Sequence, residues 1–230
     1  MAVPKFQEAL LHAFPEPTWF SMVRGLREGI SLADDVIRNT PMLNTTVGRD
    51  IRGHLRRVGV LYRFQQLCQI GDLPFTARES EMPFGVWHWL DIRTDQFLAH
   101  VVRTECMGAM PSETANRQVQ CVRNQYDLLS EGRVLSMAEV FAKVSEFYAF
   151  LTFGTDRSGA LTHACMGMPS SDNSEWLAHV NLMRHRDSGA DRESLSPAPK
   201  SPDPKDRMRF RDHVEQALAG KQKAPGDKSA

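Results

Sequence analysis

This 230-residue chain is short of several things that would assign it a class at once. No apolar run approaches the roughly 20 residues needed to span a bilayer, because charges interrupt every candidate. Membrane spanning is therefore excluded as an expectation. The opening MAVPKFQEALLHAF has neither the basic flank and apolar run nor the small-residue cleavage site of a secretory leader, so a cytoplasmic protein is expected. The charge has no preferred sign: 28 Lys and Arg balance 28 Asp and Glu, and the pI is near 7.1. Without a global positive field, binding to nucleic acid or to an anionic surface has to come from a local patch.

Catalytic and metal signatures are equally scarce. The four cysteines, Cys68, Cys106, Cys121 and Cys165, stand far apart with none of the CxxC spacing of structural zinc sites, and are expected as free, mostly buried thiols. The chain contains no GxSxG elbow, no GxxxxGK[ST] phosphate loop, no GxGxxG after a strand and no HExxH. Cys106 and Ser158 read as loop residues until a base is placed beside them. Lysine is rare before residue 187, where 17 Arg accompany only Lys5 and Lys143. A GC-rich, bacterial coding bias accounts for that skew without a functional pressure.

What is present points to an α+β fold: an N-terminal helical pair, then a mostly antiparallel sheet with packed helices. In TWFSMVRGLREGISLADDVIRNT, Thr18 is the expected cap, and Phe20, Val23, Leu26, Ile30, Leu32, Val36 and Ile37 recur at helical spacing until Thr40 and Pro41. A second helix over 45–70 is expected to carry Ile51, Leu55, Val58, Leu61, Tyr62, Gln65 and Cys68 along one side and to stop at Gly71. The two would pack antiparallel.

Between residues 85 and 103 the period changes to two, and RTDQ supplies turn chemistry. With Thr94 and Asp95 as the turn, Ile92 faces Phe97, Leu90 faces Ala99 and His88 faces Val101 on the core side. Trp87, Trp89, Asp91, Leu98 and His100 share the other side, with Trp89 opposite His100. Two further helices are expected. One runs from a Ser112 cap through Ala115, Val119, Val122, Tyr126 and Leu129. The other starts at a Ser136/Glu139 capping box and carries Val140, Val144, Phe147 and Leu151. YAFLTFG and ALTHACMGM around the turn TDRSG, then WLAHVNLM, complete the sheet. Residues 1–186 would form a single α+β domain. Residues 187–230, rich in Pro, Ser, Asp and Lys, read as a disordered tail. Within it a short amphipathic helix near 207–219 carries Phe210, Val214 and Leu218.

The hairpin face with Trp87, Trp89, Asp91 and His100 is the first candidate site, since a tryptophan beside a histidine and a carboxylate stacks a planar ligand or meets a partner. Ordinary sheet packing explains the same pattern. Arg49, Arg52, Arg56 and Arg63 line one side of the second helix and form the nucleic-acid candidate. Pairing with Asp34, Asp35 and Asp50 would neutralise them. His163, Cys165, His179 and Asn181 come from the last strands and hold soft-ligand chemistry without a spacing that enforces a metal site. Asp91, Glu105 and Glu113 could gather around Mg²⁺, but no lysine accompanies them. The leading expectation is a cytoplasmic, non-enzymatic interaction or regulatory protein that binds a macromolecular partner through its body and tail. Nucleic-acid binding is the alternative, and a metal-dependent hydrolase using Asp91, His100 and Glu105 is the second. A protein partner is favoured, nucleic acid follows, and neither a cofactor nor a metal is called for.

Overall fold

The computed structural model describes residues 3–84, 86–125, 129–130, 133–134 and 146–184. The expected tail, with Phe210, Val214 and Leu218, and the capping box with Val140 and Val144 lie outside the described residues. Helices α1 (Val3–Ala13), α2 (Glu16–Asn39), α3 (Thr46–Asp50) and α4 (Arg52–Gln69) come first. Strands β1 (Thr76–Glu81), β2 (His88–Arg93) and β3 (Phe97–Arg103) follow, then α5 (Ala115–Cys121), a two-residue-per-strand ladder of β4 (Leu129–Ser130) and β5 (Arg133–Val134), and β6 (Phe147–Thr155), β7 (Leu161–Pro169) and β8 (Trp176–Asn181). The main sheet has the order β1-β2-β3-β6-β7-β8 and is antiparallel except where β6 runs parallel to β3. This is the expected α+β architecture. A parallel neighbour demands a crossover, and residues 104–146 provide it.

Helices α1, α2 and α4 cover one sheet face. Phe6, Leu10 and Phe14 on the N-terminal helix side meet Met22, Leu26 and Ile30 of α2, Val60, Phe64 and Leu67 of α4, and the sheet residues Leu90, Ile92, Phe97, Ala99, Val101, Leu151, Phe153 and Met166 in one buried cluster. The second face carries Leu98, Tyr148 and Phe150, packed with Cys121 of α5. β6 is consequently buried on both faces along almost its whole length.

Several local expectations are corrected. α2 begins at Glu16 with Pro15 as its cap and a proline in its first turn, a position where a missing N–H costs nothing. Thr18 lies inside the helix and donates to the Pro15 carbonyl at 2.7 Å. Its buried stripe is Trp19, Met22, Val23, Leu26, Ile30, Ala33 and Ile37, while Phe20, Leu32 and Val36 face outward. The 45–70 helix is divided at Ile51 into α3 and α4, and α4 buries Arg56, Gly59, Val60, Phe64 and Leu67 rather than the side with Ile51, Val58 and Tyr62, which are exposed. Glycine decides that rotation. A Cβ on Gly29 would lie 2.5 Å from the Val60 Cα, and one on Gly59 would strike the Gly29 carbonyl oxygen. Only the glycine-bearing faces let the two backbones approach so closely, and hydropathy does not register them. Gly71 does end the helix, with φ +82°.

The helix expected over 112–129 stops early. Thr114, not Ser112, is its cap, α5 gives way to a 3₁₀ turn at Val122–Asn124, and Val119 and Val122 are exposed. Asn124 explains the stop: its amide donates to the Tyr148 and Pro169 carbonyls at 2.9 and 2.7 Å and its oxygen accepts from the Tyr148 N–H at 2.7 Å. Phe147 and Leu151, expected on a helix, belong to β6. A spacing of four satisfies both periods, and here period two wins because Phe147, Ala149, Leu151 and Phe153 fill one face while Tyr148 and Phe150 fill the other. The strand positions expected from YAFLTFG, ALTHACMGM and WLAHVNLM are those of β6, β7 and β8. Neither α1 nor the charged edge strand β1 is expected from the sequence pattern.

The β2–β3 hairpin is displaced by two residues from the expected register. Ile92 pairs with Ala99 and Arg93 with Leu98. Thr94 closes the loop, donating its N–H to the Phe97 carbonyl at 2.9 Å and accepting from the Phe97 N–H on its hydroxyl at 3.0 Å. An even displacement keeps every side chain on its expected face. It also sets Asp91, rather than Trp89, across from His100.

Candidate functional site

Of the hairpin residues, Trp89, Asp91 and His100 are brought together and Trp87 is not. His100 lies on β3, where it is only 3% exposed, and its Nε2 is 2.9 Å from Asp91 Oδ1 on β2. Its Nδ1 is 2.9 Å from the Tyr148 hydroxyl on β6. Trp89 stacks on the imidazole at 4.0 Å between ring centres. Asp91 Oδ1 also accepts from Ser80 at 2.7 Å, and Oδ2 from Arg93 at 3.1 Å. Arg93 continues to Glu146 at 2.5 Å, and Arg123 holds the other Glu146 oxygen at 2.7 Å. The network therefore ties β1, β2, β3 and β6 together on the second face. Tyr148, Ser80 and Glu146 were not legible as members, because Ser80 meets Asp91, Tyr148 meets His100 and Glu146 meets Arg93 only once four strands are in place.

The protonation states follow from the surroundings. Burial pushes the Asp91 carboxyl up, but hydrogen bonds from His100 and Ser80 and the Arg93 guanidinium outweigh it and hold it at about 2. Burial lowers His100 against the pull of Asp91, and raises Tyr148 well above its ordinary value. The carboxylate is thus ionised and the imidazole neutral. Nε2–H donates to Asp91, and Nδ1 accepts the Tyr148 O–H. The order resembles an acid–base relay, yet the phenol is 0% exposed. Its work is to satisfy buried polar groups.

Trp87 stands apart, 58% exposed and stacked on His54 of α4 at 5.8 Å. The arginine stripe is also divided. Arg56 is 5% exposed and forks onto Asp34 through two 2.9 Å hydrogen bonds, and Arg63 bonds Glu28 at 2.6 Å. Arg52 makes no ion pair with a described residue, and its Nε is buried without a partner. Arg49 lies in α3, and its side chain is outside the described residues.

His163, Cys165, His179 and Asn181 do share the second face, where Cys165 pairs with Asn181 and Gly167 with His179. Both His163 nitrogens are engaged, Nε2 with Thr104 at 2.9 Å and Nδ1 with Thr162 at 3.2 Å. Its ring occupies the space a side chain on Gly154 would fill. Burial pushes the Cys165 thiol up to about 11 and Cys121 to about 12, and all four cysteines are free. Asp91, Glu105 and Glu113 do not converge. Among the described residues no three His, Cys, Asp or Glu side chains form a group fit for a metal ion, and no helix is long and apolar enough to cross a membrane.

Burial lowers His100, His163 and His179 alike. A histidine held neutral in the native state binds its proton more readily once unfolded, so its contribution is complete above the unfolded value near 6.5 and is lost as pH falls below it. Each proton taken up steepens the loss by about 1.4 kcal/mol per pH unit. Urea midpoints are expected to be highest above pH 7 and to decline from pH 6.5 to pH 5, with Asp91 adding a further loss below about pH 4. A midpoint that rises between pH 7 and pH 5 contradicts this account.

A separate cavity lies along the N-terminal half of α2. It is a groove of about 790 Å³ lined by the buried Trp19, Val23 and Leu182, the half-buried Met183 and Phe20, which is 64% exposed. Arg24 and Glu28 on its rim are held by Asp72 and Arg63 respectively. No family model, no curated protein and no solved structure matches this chain.

Proposed function

We propose that the protein is a non-enzymatic interaction or regulatory protein of the cytoplasm, and that its body receives an apolar segment of a protein partner in the α2 groove. The observation that carries this reading is Phe20, a large aromatic left in water beside a floor of buried Trp19, Val23 and Leu182. Contact there removes apolar surface from water at about 25 cal/mol per Å², and a central aromatic flanked by fixed polar residues is how binding hot spots are built. The rim arginine and glutamate are already oriented by Asp72 and Arg63, so little ordering cost is added on docking. Residues 187–230, with Phe210, Val214 and Leu218, supply a second contact to the same partner.

Phe20→Asp tests the groove. It is expected to abolish co-purification of the partner while the melting temperature stays within a few degrees of the parent, since the side chain is largely outside the core. Retention of the same partner by Phe20→Asp overturns the groove as the docking site. Removal of residues 187–230 is expected to weaken the complex without abolishing it.

Nucleic-acid binding along α4 is the second reading, favoured by the uncompensated Arg52. Two of its four arginines, Arg56 and Arg63, are engaged by Asp34 and Glu28. A phosphate backbone contact predicts affinity falling steeply with salt.

A further inference from the structure

The start of α4 is electrostatically incomplete. The positive end of a helix dipole favours acidic side chains, yet the first turn of this 18-residue helix has none, and its cap residue Ile51 makes no side-chain capping bond. Cations are gathered there instead. Arg52 opens the helix, and Arg103 at the end of β3 reaches in so that its Nη1 lies 3.3 Å from where a Gly53 Cβ would stand. Neither guanidinium has a described carboxylate within ion-pair distance, and Asp50, two residues ahead of Arg52, pairs with neither. The Arg52 Nε is closed off from solvent with no acceptor. An unsatisfied buried donor on a charged group is costly, and two unpaired cations at a positive helix end add to that cost.

Beside Arg52 is a pocket of about 260 Å³ built from separate segments: Arg38 from the end of α2, Asn44 from the 3₁₀ turn Pro41–Asn44, Arg52 and Arg56 from α4, and Ser158 from the β6–β7 turn. Its back wall is rigid. Arg56 is locked onto Asp34, and Gly159, at φ +96°, lets the turn close over that pair, because a Cβ there would come within 2.6 Å of Arg56 Nη2. Of its three arginines, Arg56 is paired with Asp34 and the exposed Arg38 with Asp35 at 3.0 Å, which leaves Arg52 as the cation of the lining with no described carboxylate. A phosphate monoester carries about −1.5 to −2 at pH 7.

We propose that this pocket is a binding site for a phosphate monoester group. Arg52 supplies the principal fork, Asn44 a neutral hydrogen bond and Arg56 a fixed charge behind them, while Arg38, turning from Asp35, adds a second cation at the rim, where the Ser158 hydroxyl is held by Asp156 at 2.6 Å. The site is independent of the α2 groove and of any protein partner. It differs from a nucleic-acid stripe, because the concave lining receives one terminal phosphate, whereas Arg63 faces Glu28 further along the helix.

The test titrates the full chain with inorganic phosphate by calorimetry at constant ionic strength, chloride replacing phosphate in the control. Saturable binding is expected, weakened about tenfold or more in Arg52→Ala, the loss of a bidentate charged contact, and unchanged in Arg63→Ala. Ser158→Asp, a change in an exposed turn, places a carboxylate in the pocket and is expected to abolish binding even should Arg52→Ala fail to fold. A single-stranded oligonucleotide without a terminal phosphate distinguishes the sources, and is expected to bind no more tightly than phosphate. The proposal is overturned by the absence of saturable phosphate binding, by binding that survives Ser158→Asp, or by an oligonucleotide that binds more tightly and is indifferent to Ser158→Asp.

Discussion

Asp91→Ala is expected to cost about 3 kcal/mol or more of unfolding free energy, since a hydrogen bond to a charged group is worth about 1.5–3 kcal/mol and a buried donor left unsatisfied costs about 1–3 kcal/mol. The loss is large because the carboxylate serves three donors at once, His100 Nε2–H, the Ser80 hydroxyl and the Arg93 guanidinium. With it gone, the imidazole N–H is left without an acceptor in a place water does not reach. Asp91→Asn keeps the shape and an accepting oxygen for His100 and Ser80, but sets an amide against Arg93, and should cost less. Tyr148→Phe removes a single hydrogen bond and leaves Nδ1 unsatisfied, at about 1–3 kcal/mol. Urea unfolding monitored by tryptophan fluorescence measures all three, with Trp89 stacked on His100 as a local reporter. A loss below about 1 kcal/mol for Asp91→Ala, the level of an ordinary exposed ion pair, would refute a tightly sealed relay.

Gly59→Ala is the second large effect, and its sign is diagnostic. In an isolated helix the exchange of glycine for alanine is favourable by about 1 kcal/mol. Here the added methyl group meets the Gly29 carbonyl oxygen, and on the opposite helix a Gly29→Ala methyl group would lie 2.5 Å from the Val60 Cα. Backbone cannot rotate aside as a side chain can, so α2 and α4 must separate. That movement drags Arg56 from Asp34 and loosens the packing of Phe64 and Leu67. A net destabilisation of about 3 kcal/mol is expected for either substitution, the upper part of the usual overpacking range. Gly53→Ala is the control, because its Cβ would meet only the mobile end of Arg103 at 3.3 Å, and it should stay within about 1 kcal/mol of neutral. Equal effects at Gly53 and Gly59 would mean that helix propensity, and not the crossing, governs this pair.

The candidate site was legible in part, and the physical boundary is visible residue by residue. Trp89, Asp91 and His100 were assigned to one face of one hairpin, and they do share it, because side-chain alternation survives a two-residue change of register. Trp87, two residues earlier on the same face by alternation, is outside the strand and stacks on His54 instead. Tyr148 was unreadable as a partner, since its segment satisfied a helical period as well as a strand period. The groove was not legible because helical spacing sets Phe20 beside Val23 and Leu26 without telling an exposed aromatic from a buried one. The arginine stripe could be read as four charges but not divided into engaged and unengaged ones. That division depends on Asp34 and Glu28 lying across an antiparallel helix pair.

The sequence by itself determined the α+β class, the helical character of most of residues 18–40 and 45–70, the strands around residues 161–181, the stop at Gly71 and the free state of the four thiols. Each of these is set by local periodicity, turn chemistry or spacing, which a chain carries wherever it is placed. The tertiary structure alone decided which face of α4 is buried, which residue stands across from His100, and where β6 replaces a helix. Those choices turn on how closely two backbones can approach and on which buried donor finds an acceptor. Such quantities belong to pairs of distant segments, and neither segment encodes them alone.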